Sequence, residues 1–246
     1  MQKSHQPGVL EIDDWIAKHL SNKRIGGDPS LLQAAKIETW SQKWSTSGIT
    51  FTPLSENLID PIWAGERPSR SAAPLRVQPL SLAGESVASK LERVREAIRE
   101  GGGQSLLVNA LDQVAWITNL RGGDIDCNPV FFAYLAITLE EARLFVQLEA
   151  LGPENRHLLK EHLQEANVSL HEYQDFFSVA RAMSLGACML EKSTCTLAMK
   201  SSCLSGDGGE ALMMEASPVE IFKARKNEAE LRGIREVNRR THSCTP

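Results

Sequence analysis

Apolar residues recur along this chain in two rhythms. A spacing of three to four marks amphipathic helix, and short β-branched or aromatic runs mark strand. Trp15, Ile16 and Leu20 predict a short helix. Arg24-Ile25-Gly26-Gly27-Asp28-Pro29 reads as a strand end entering a turn, because the residue before a proline disfavours helix. Leu32, Ala35, Trp40 and Trp44 then predict a helix over 31–44, stopped at Gly48 and followed by an apolar strand over 49–54. Together these make a helix-strand fragment of an α/β unit.

Between Ala64 and Ser86 the periodicity lapses into Pro68, Pro74, Pro79 and Gly84, the composition of an exposed connector. Beyond it Val87, Leu91, Val94 and Ile98 form a helical stripe that closes at Gly101-Gly102-Gly103. Ser105 to Ala110 predicts a strand, and Val114, Ala115 and Trp116 a buried helical turn. Val130 to Thr138 and Ala142 to Gln147 predict a hairpin about Leu139-Glu140-Glu141. Glu154 to Glu165 predicts a helix with Leu158, Leu159 and Leu163 inside, and short apolar runs alternate with polar turns to Leu204. The order of elements implies an α/β fold, a mixed sheet flanked by helices over residues 85 to 220. Asn227 with Glu230 resembles a capping box, and Leu231, Ile234 and Val237 give a last helix its stripe. Thr241 to Pro246 continues neither the stripe nor its polarity, so that helix is expected to be cut short there.

Composition narrows the function classes. With 246 residues and 42% hydrophobic content the chain can bury a core, as one large domain or two modest ones. A net charge of -4 without a basic block argues against nucleic acid and against anionic lipid. The first twenty residues carry five charges among Lys3, Glu11, Asp13, Asp14 and Lys18, unlike a secretory signal, and no window is apolar enough for a membrane span. A cytoplasmic location follows as the expectation. Cys127, Cys188, Cys195, Cys203 and Cys244 are odd in number and lack paired close spacing, which fits reduced thiols.

The most particular segment is Leu111 to Thr138. Within it Ala115, Trp116, Ile117, Asn119, Leu120, Arg121, Gly122, Asp124, Asn128, Pro129, Val130 and Phe131 stand at positions that resemble the middle domain of three-domain Xaa-Pro aminopeptidases, in the creatinase and prolidase superfamily. Gly26-Gly27-Asp28-Pro29 resembles a turn of that family's first domain, and Glu56 to Trp63 followed by Arg67-Pro68 resembles its exit. Ser217-Pro218-Val219, Lys223-Ala224 and Lys226-Asn227-Glu228 with Glu230 resemble the entry to the third, pita-bread domain.

The resemblance implies an organisation. Residues 1–66 would be the rear portion of a first creatinase-like domain, 67–86 a connector, 87–220 a complete middle domain of the creatinase N-terminal type, and 221–246 the start of the catalytic domain. Roughly another hundred residues would precede such a piece in a full first domain. It also implies chemistry. In full-length relatives two divalent cations, manganese by expectation, lie about 3.5 to 4 Å apart on carboxylate and imidazole ligands and activate water against an X-Pro bond. None of those ligand motifs occurs here, so the expectation is no catalytic residue and no metal or other cofactor in this chain.

Expected partners are proline-containing peptides in full-length relatives, and a homodimer or a heterodimer with a full-length subunit. The rival readings are a non-catalytic interaction or dimerisation module that modulates a full-length subunit, and an artefact of gene prediction or splicing.

Asn119, Arg121, Asp124 and Asn128 are the candidate substrate or interdomain contacts. The plainer reading pairs Arg121 with Asp124 and has Asn128 cap the turn before Pro129. His157, His162 and His171 lack metal-ligand spacing and read as solvated; Cys188, Cys195 and Cys203 read as buried or incidental thiols. The five tryptophans read as core and interdomain packing. No phosphate loop and no G-x-S-x-G elbow is present.

Overall fold

The computed structural model describes residues 8–63, 65–205 and 208–243. They fall into two compact units, one within residues 8–69 and 192–201, the other within residues 70–191 and 202–243.

The first unit runs α1 (Ile12–His19), β1 (Arg24–Gly27), α2 (Ala34–Ser45), β2 (Thr50–Pro53) and α3 (Ile59–Trp63). β1 and β2 pair in parallel with Ile25 opposite Phe51, a geometry that needs a crossover, which α2 supplies. Trp44 is buried and its Nε1 donates to Asp13 O at 3.1 Å, tying α2 to α1. The Lys43 ammonium, 2.7 Å from Asp13, holds that carboxyl below its ordinary range. In the turn after β1, Asp28 accepts from Ser30 N, Ser30 Oγ and Asn57 Nδ2. Two of the motif pieces thus meet in one hydrogen-bonded knot.

α2 starts later than its periodicity suggests and buries Ala34, Ile37 and Trp44. The reason is distant in sequence. Ala34 N donates to Cys195 O and Leu32 O accepts from Leu197 N, so an excursion over 192–201 takes up the backbone groups ahead of the helix. By sequence these residues fall within the middle domain expected over 87–220.

The second unit begins inside the stretch expected to be an exposed connector. Leu75 is buried and its N donates to Ala150 O at 2.8 Å. β3 (Arg76–Val77) and α4 (Leu80–Ala83) follow, then α5 (Val87–Glu100), β4 (Ser105–Val108), α6 (Leu111–Thr118) and β5 (Leu120–Arg121). Next come β6 (Ala133–Thr138), β7 (Ala142–Val146), α7 (Arg156–Gln164), β8 (Val168–Glu172) and α8 (Phe176–Ala182). The chain ends through β9 (Ala187–Glu191), α9 (Leu197–Cys203), whose first turn belongs to the excursion, β10 (Glu210–Met214), α10 (Pro218–Ala224) and α11 (Glu228–Ser243).

Six strands form one mixed sheet in the order β10-β9-β4-β6-β7-β8. The β6–β7 hairpin is antiparallel and lies between strands reached by helical crossovers, as the α/β reading expected. Alternation assigns the faces. Leu106, Val108, Leu135, Ile137, Leu144 and Val146 join Leu91, Val94 and Ile98 of α5 and Leu159 of α7 in one core. On the alternate positions Tyr134 and Phe145 pack on Phe176 of α8, with Tyr134 stacked at 4.0 Å between ring centroids. Helices therefore cover both faces, and β4 is buried along its length.

Two details depart from the sequence reading. α11 continues to Ser243, past the expected break at Thr241, because backbone hydrogen bonding propagates a helix without needing a continued apolar stripe; Cys244 to Pro246 lie outside the described residues. Trp44 and Trp116 are core, whereas Trp63 is 45% exposed.

Candidate functional site

The signature loop is built outward from the end of α6. Asn119 caps that helix in the left-handed conformation, φ 50°, which asparagine tolerates better than most side chains. It is buried, its Nδ2 donates to Glu85 O at 2.8 Å, and its Oδ1 accepts from Lys90 Nζ at 2.7 Å. Lys90 also donates to Trp116 O at 2.8 Å and lies 4.2 Å over the Trp116 ring. This lysine is 1% exposed. Sequence reasoning passed it over, although Lys90 sits three residues after Val87 on the apolar stripe of α5, a position where a charge is conspicuous.

Trp116 Nε1 donates to Glu230 Oε1 at 3.1 Å. Glu230 Oε2 accepts from Asn227 N, and Asn227 Oδ1 accepts from Glu230 N, so the capping box read from the sequence forms as expected. The box therefore fastens the start of α11 to the tryptophan of the signature segment.

Arg121 and Asp124 make no ion pair, which corrects the plainer sequence reading. Arg121 Nη1 donates to Ala115 O and Leu120 O, both at 2.8 Å, so the guanidinium satisfies carbonyls at the helix end. Burial first, and Arg76 second, lower its pKa from the ordinary arginine value. Asp124 instead ties two segments of chain together: Oδ1 accepts from Ser71 Oγ and Ala73 N, and Oδ2 from Phe132 N. Gly122 lies where a Cβ would meet the Phe131 Cβ at 2.7 Å, so only glycine lets the loop close there. Asn128 is exposed; its N donates to Ile125 O and its O accepts from Val130 N, and the turn is made by backbone.

Of the four candidates, Asn119 and Arg121 line a common cavity of 440 Å³ with Lys90, Trp116 and Glu230, while Asp124 and Asn128 do not. Such a volume falls in the range of small-ligand sites.

Burial above all pushes the Lys90 ammonium down to about 8; Glu230 and Glu85 oppose the shift and Arg121 and Arg93 reinforce it. The neutral amine still has two N–H donors for its two oxygen acceptors. Because the folded pKa lies below the unfolded one, the unfolded chain holds the extra proton between pH 8 and 10.5, and stability from this group rises with pH across that window. Relative to Lys90→Met, the native protein should gain about 2 kcal/mol between pH 7 and 10 in urea denaturation. Parallel pH profiles for the two proteins would show that Lys90 titrates as a solvated lysine.

The other candidates are dispersed. His157 faces Glu161, His162 Nε2 lies 2.8 Å from Thr118 O, and His171 stacks on Phe145 with its pKa lowered by burial. Cys188, Cys195 and Cys203 are buried and outside any disulfide, and Cys127 is exposed. Among the described residues no three His, Cys, Asp or Glu side chains gather where a metal ion could be held. The described residues therefore do not fit the cation pair that the resemblance implies. No described helix is long and apolar enough to cross a membrane.

Comparison with known proteins agrees with the motif. Residues 66–230 match the family described as the Creatinase/Prolidase N-terminal domain. The chain is 35% identical over 238 residues to a probable Xaa-Pro aminopeptidase P of Arthroderma gypseum, covering 94% of this chain and 37% of that protein. It is 35% identical over 234 residues to a probable Xaa-Pro aminopeptidase P of Fusarium vanettenii, covering 90% of this chain and 37% of that one. The X-prolyl aminopeptidase of Caenorhabditis elegans, described as a cytosolic enzyme with a di-nuclear active site, superposes with a TM-score of 0.82 at 26% identity, over 95% of this chain and 38% of that one. The chain thus spans little more than a third of the length of the relatives it matches.

Proposed function

Because the chain belongs to the creatinase/prolidase N-terminal-domain family, we propose that it is a non-catalytic piece of a cytoplasmic Xaa-Pro aminopeptidase, comprising the rear of the first domain, the middle domain and the opening of the third. In that reading the removal of residue X from X-Pro peptides, with two divalent cations, manganese by expectation, takes place on polypeptide outside the described residues. The observation that supports it is a match running along nearly the whole chain yet covering barely more than a third of each relative. Arg121 and Asn119 would then act as contacts from the middle domain, toward substrate or toward a neighbouring domain, with Asp124 shaping the loop and Asn128 at its exposed rim.

A direct test uses the 246-residue chain, with and without manganese, on an Arg-Pro-Pro peptide. The expected result is no release of arginine and substoichiometric metal after dialysis, while residues 1–240 joined to the remaining domain of the Arthroderma gypseum relative release it. Turnover by the chain alone would overturn the non-catalytic assignment, and a folded but inert chimaera the family role. A second reading, an interaction module pairing with itself or with a full-length subunit, is favoured by the exposed Leu58, Ile59, Ile62 and Trp63 in and before α3. Light scattering on the chain mixed with the chimaera tests the second reading, since a mixed species that alters the chimaera's turnover is expected only there.

A further inference from the structure

We propose that the cavity beside α11 binds a carboxylate carried on an apolar body, with the open edge of the Arg121 guanidinium as its anchor. The proposal starts from a donor count. A guanidinium has five N–H groups. Both on Nη1 go to the carbonyls of Ala115 and Leu120, whereas Nε and Nη2 have no acceptor among the described residues and are not sealed from solvent. That Nε and Nη2 edge is the planar fork that matches the two oxygens of a carboxylate.

Charge points the same way. Arg76 stands opposite Arg121 in the β3–β5 ladder, and like charges directly opposite are destabilising unless something compensates. Neither arginine has a carboxylate within ion-pair distance among the described residues. Lys90 and Lys226 add two more cationic side chains to the cavity wall. Its acid, Glu230, has both oxygens engaged, by Trp116 Nε1 and by Asn227 N. The balance of charge facing the cavity is thus positive, with the resident carboxylate already committed. Leu82, Trp116, Ala229 and Ile234 supply apolar wall around it. A small anion alone would satisfy the fork but leave that wall wet; an apolar acid satisfies both.

The chemistry is shared by a free apolar acid, a peptide's C-terminal residue and an internal aspartate flanked by apolar residues. It does not depend on the peptidase reading. The test follows the Arg121 Nε–H and Trp116 Nε1–H resonances of the full chain during titration with N-acetyl-leucine, N-acetyl-leucinamide, acetyl-Leu-Leu-Leu and acetyl-Leu-Asp-Leu-amide. Saturable shifts with N-acetyl-leucine, at least about tenfold weaker with the amide, are expected. The tripeptide binding as well as or better than N-acetyl-leucine assigns the peptide terminus, the blocked aspartyl peptide doing so assigns a side-chain carboxylate, and N-acetyl-leucine binding best assigns a free acid. Arg121→Lys should weaken binding by about tenfold through loss of the fork. Since Arg121 also holds two carbonyls, Arg76→Gln at the exposed neighbour serves as a second variant, expected to weaken binding several-fold with an unchanged melting temperature. Equal binding of acid and amide, or no saturable shift in folded protein, would overturn the assignment. Acid binding without release of arginine from Arg-Pro-Pro would uphold this site and leave the peptidase question to its own test.

Discussion

Asn119→Ala is expected to lower the unfolding free energy by about 4 kcal/mol, the largest single-residue effect outside the apolar core. Three losses coincide. The buried Lys90 loses one of its two oxygen acceptors, the Glu85 carbonyl loses its donor, and an alanine must hold φ at 50°. The last costs about 1 kcal/mol. Asn119→Gly removes only that strain and should recover about that 1 kcal/mol. Asn119→Asp keeps an acceptor and places a carboxylate beside Lys90, so it should cost less than alanine and move the lysine's titration upward. Urea denaturation followed by tryptophan fluorescence measures all three. A loss below about 1 kcal/mol for alanine would mean that Lys90 finds water rather than this network.

Asp124→Ala should cost about 3 kcal/mol, because one carboxylate accepts three hydrogen bonds from residues 71, 73 and 132. Its action is on the loop. With the anchor gone the segment ahead of β3 loses its tie to the signature loop, so tryptic cleavage at Arg70 and Arg76 should accelerate along with the fall in melting temperature. Asp124→Asn retains one oxygen for the Ser71 and Ala73 side and should cost about half as much. Unchanged cleavage in Asp124→Ala would place the restraint on that segment elsewhere, in the burial of Leu75.

The elements that the sequence made legible share a property: their signals are local. The stripe of α5, the β6–β7 hairpin and the capping box at Asn227 depend on residues within a few positions of one another, and each forms. The signature loop was legible too, but as a motif rather than as geometry. Its side chains take other roles than the motif suggests: Asp124 bonds backbone at residues 73 and 132, and Arg121 bonds the carbonyls of Ala115 in α6 and Leu120 in β5. The excursion over 192–201 shows the opposite case. Nothing in its composition sets it apart, and its partners near Gln33 are about 160 residues away.

Periodicity, turn chemistry and one dense motif were enough to determine the fold class, the helix-covered sheet and the family of this protein. Only the tertiary structure decided that Lys90, Trp116, Asn119, Arg121 and Glu230 form one site, since they come from three helices and the turn and short strand after α6. The physical reason is that local propensity acts over a turn or two of chain, whereas burial of a charge is satisfied by whichever oxygens the packed fold brings within reach.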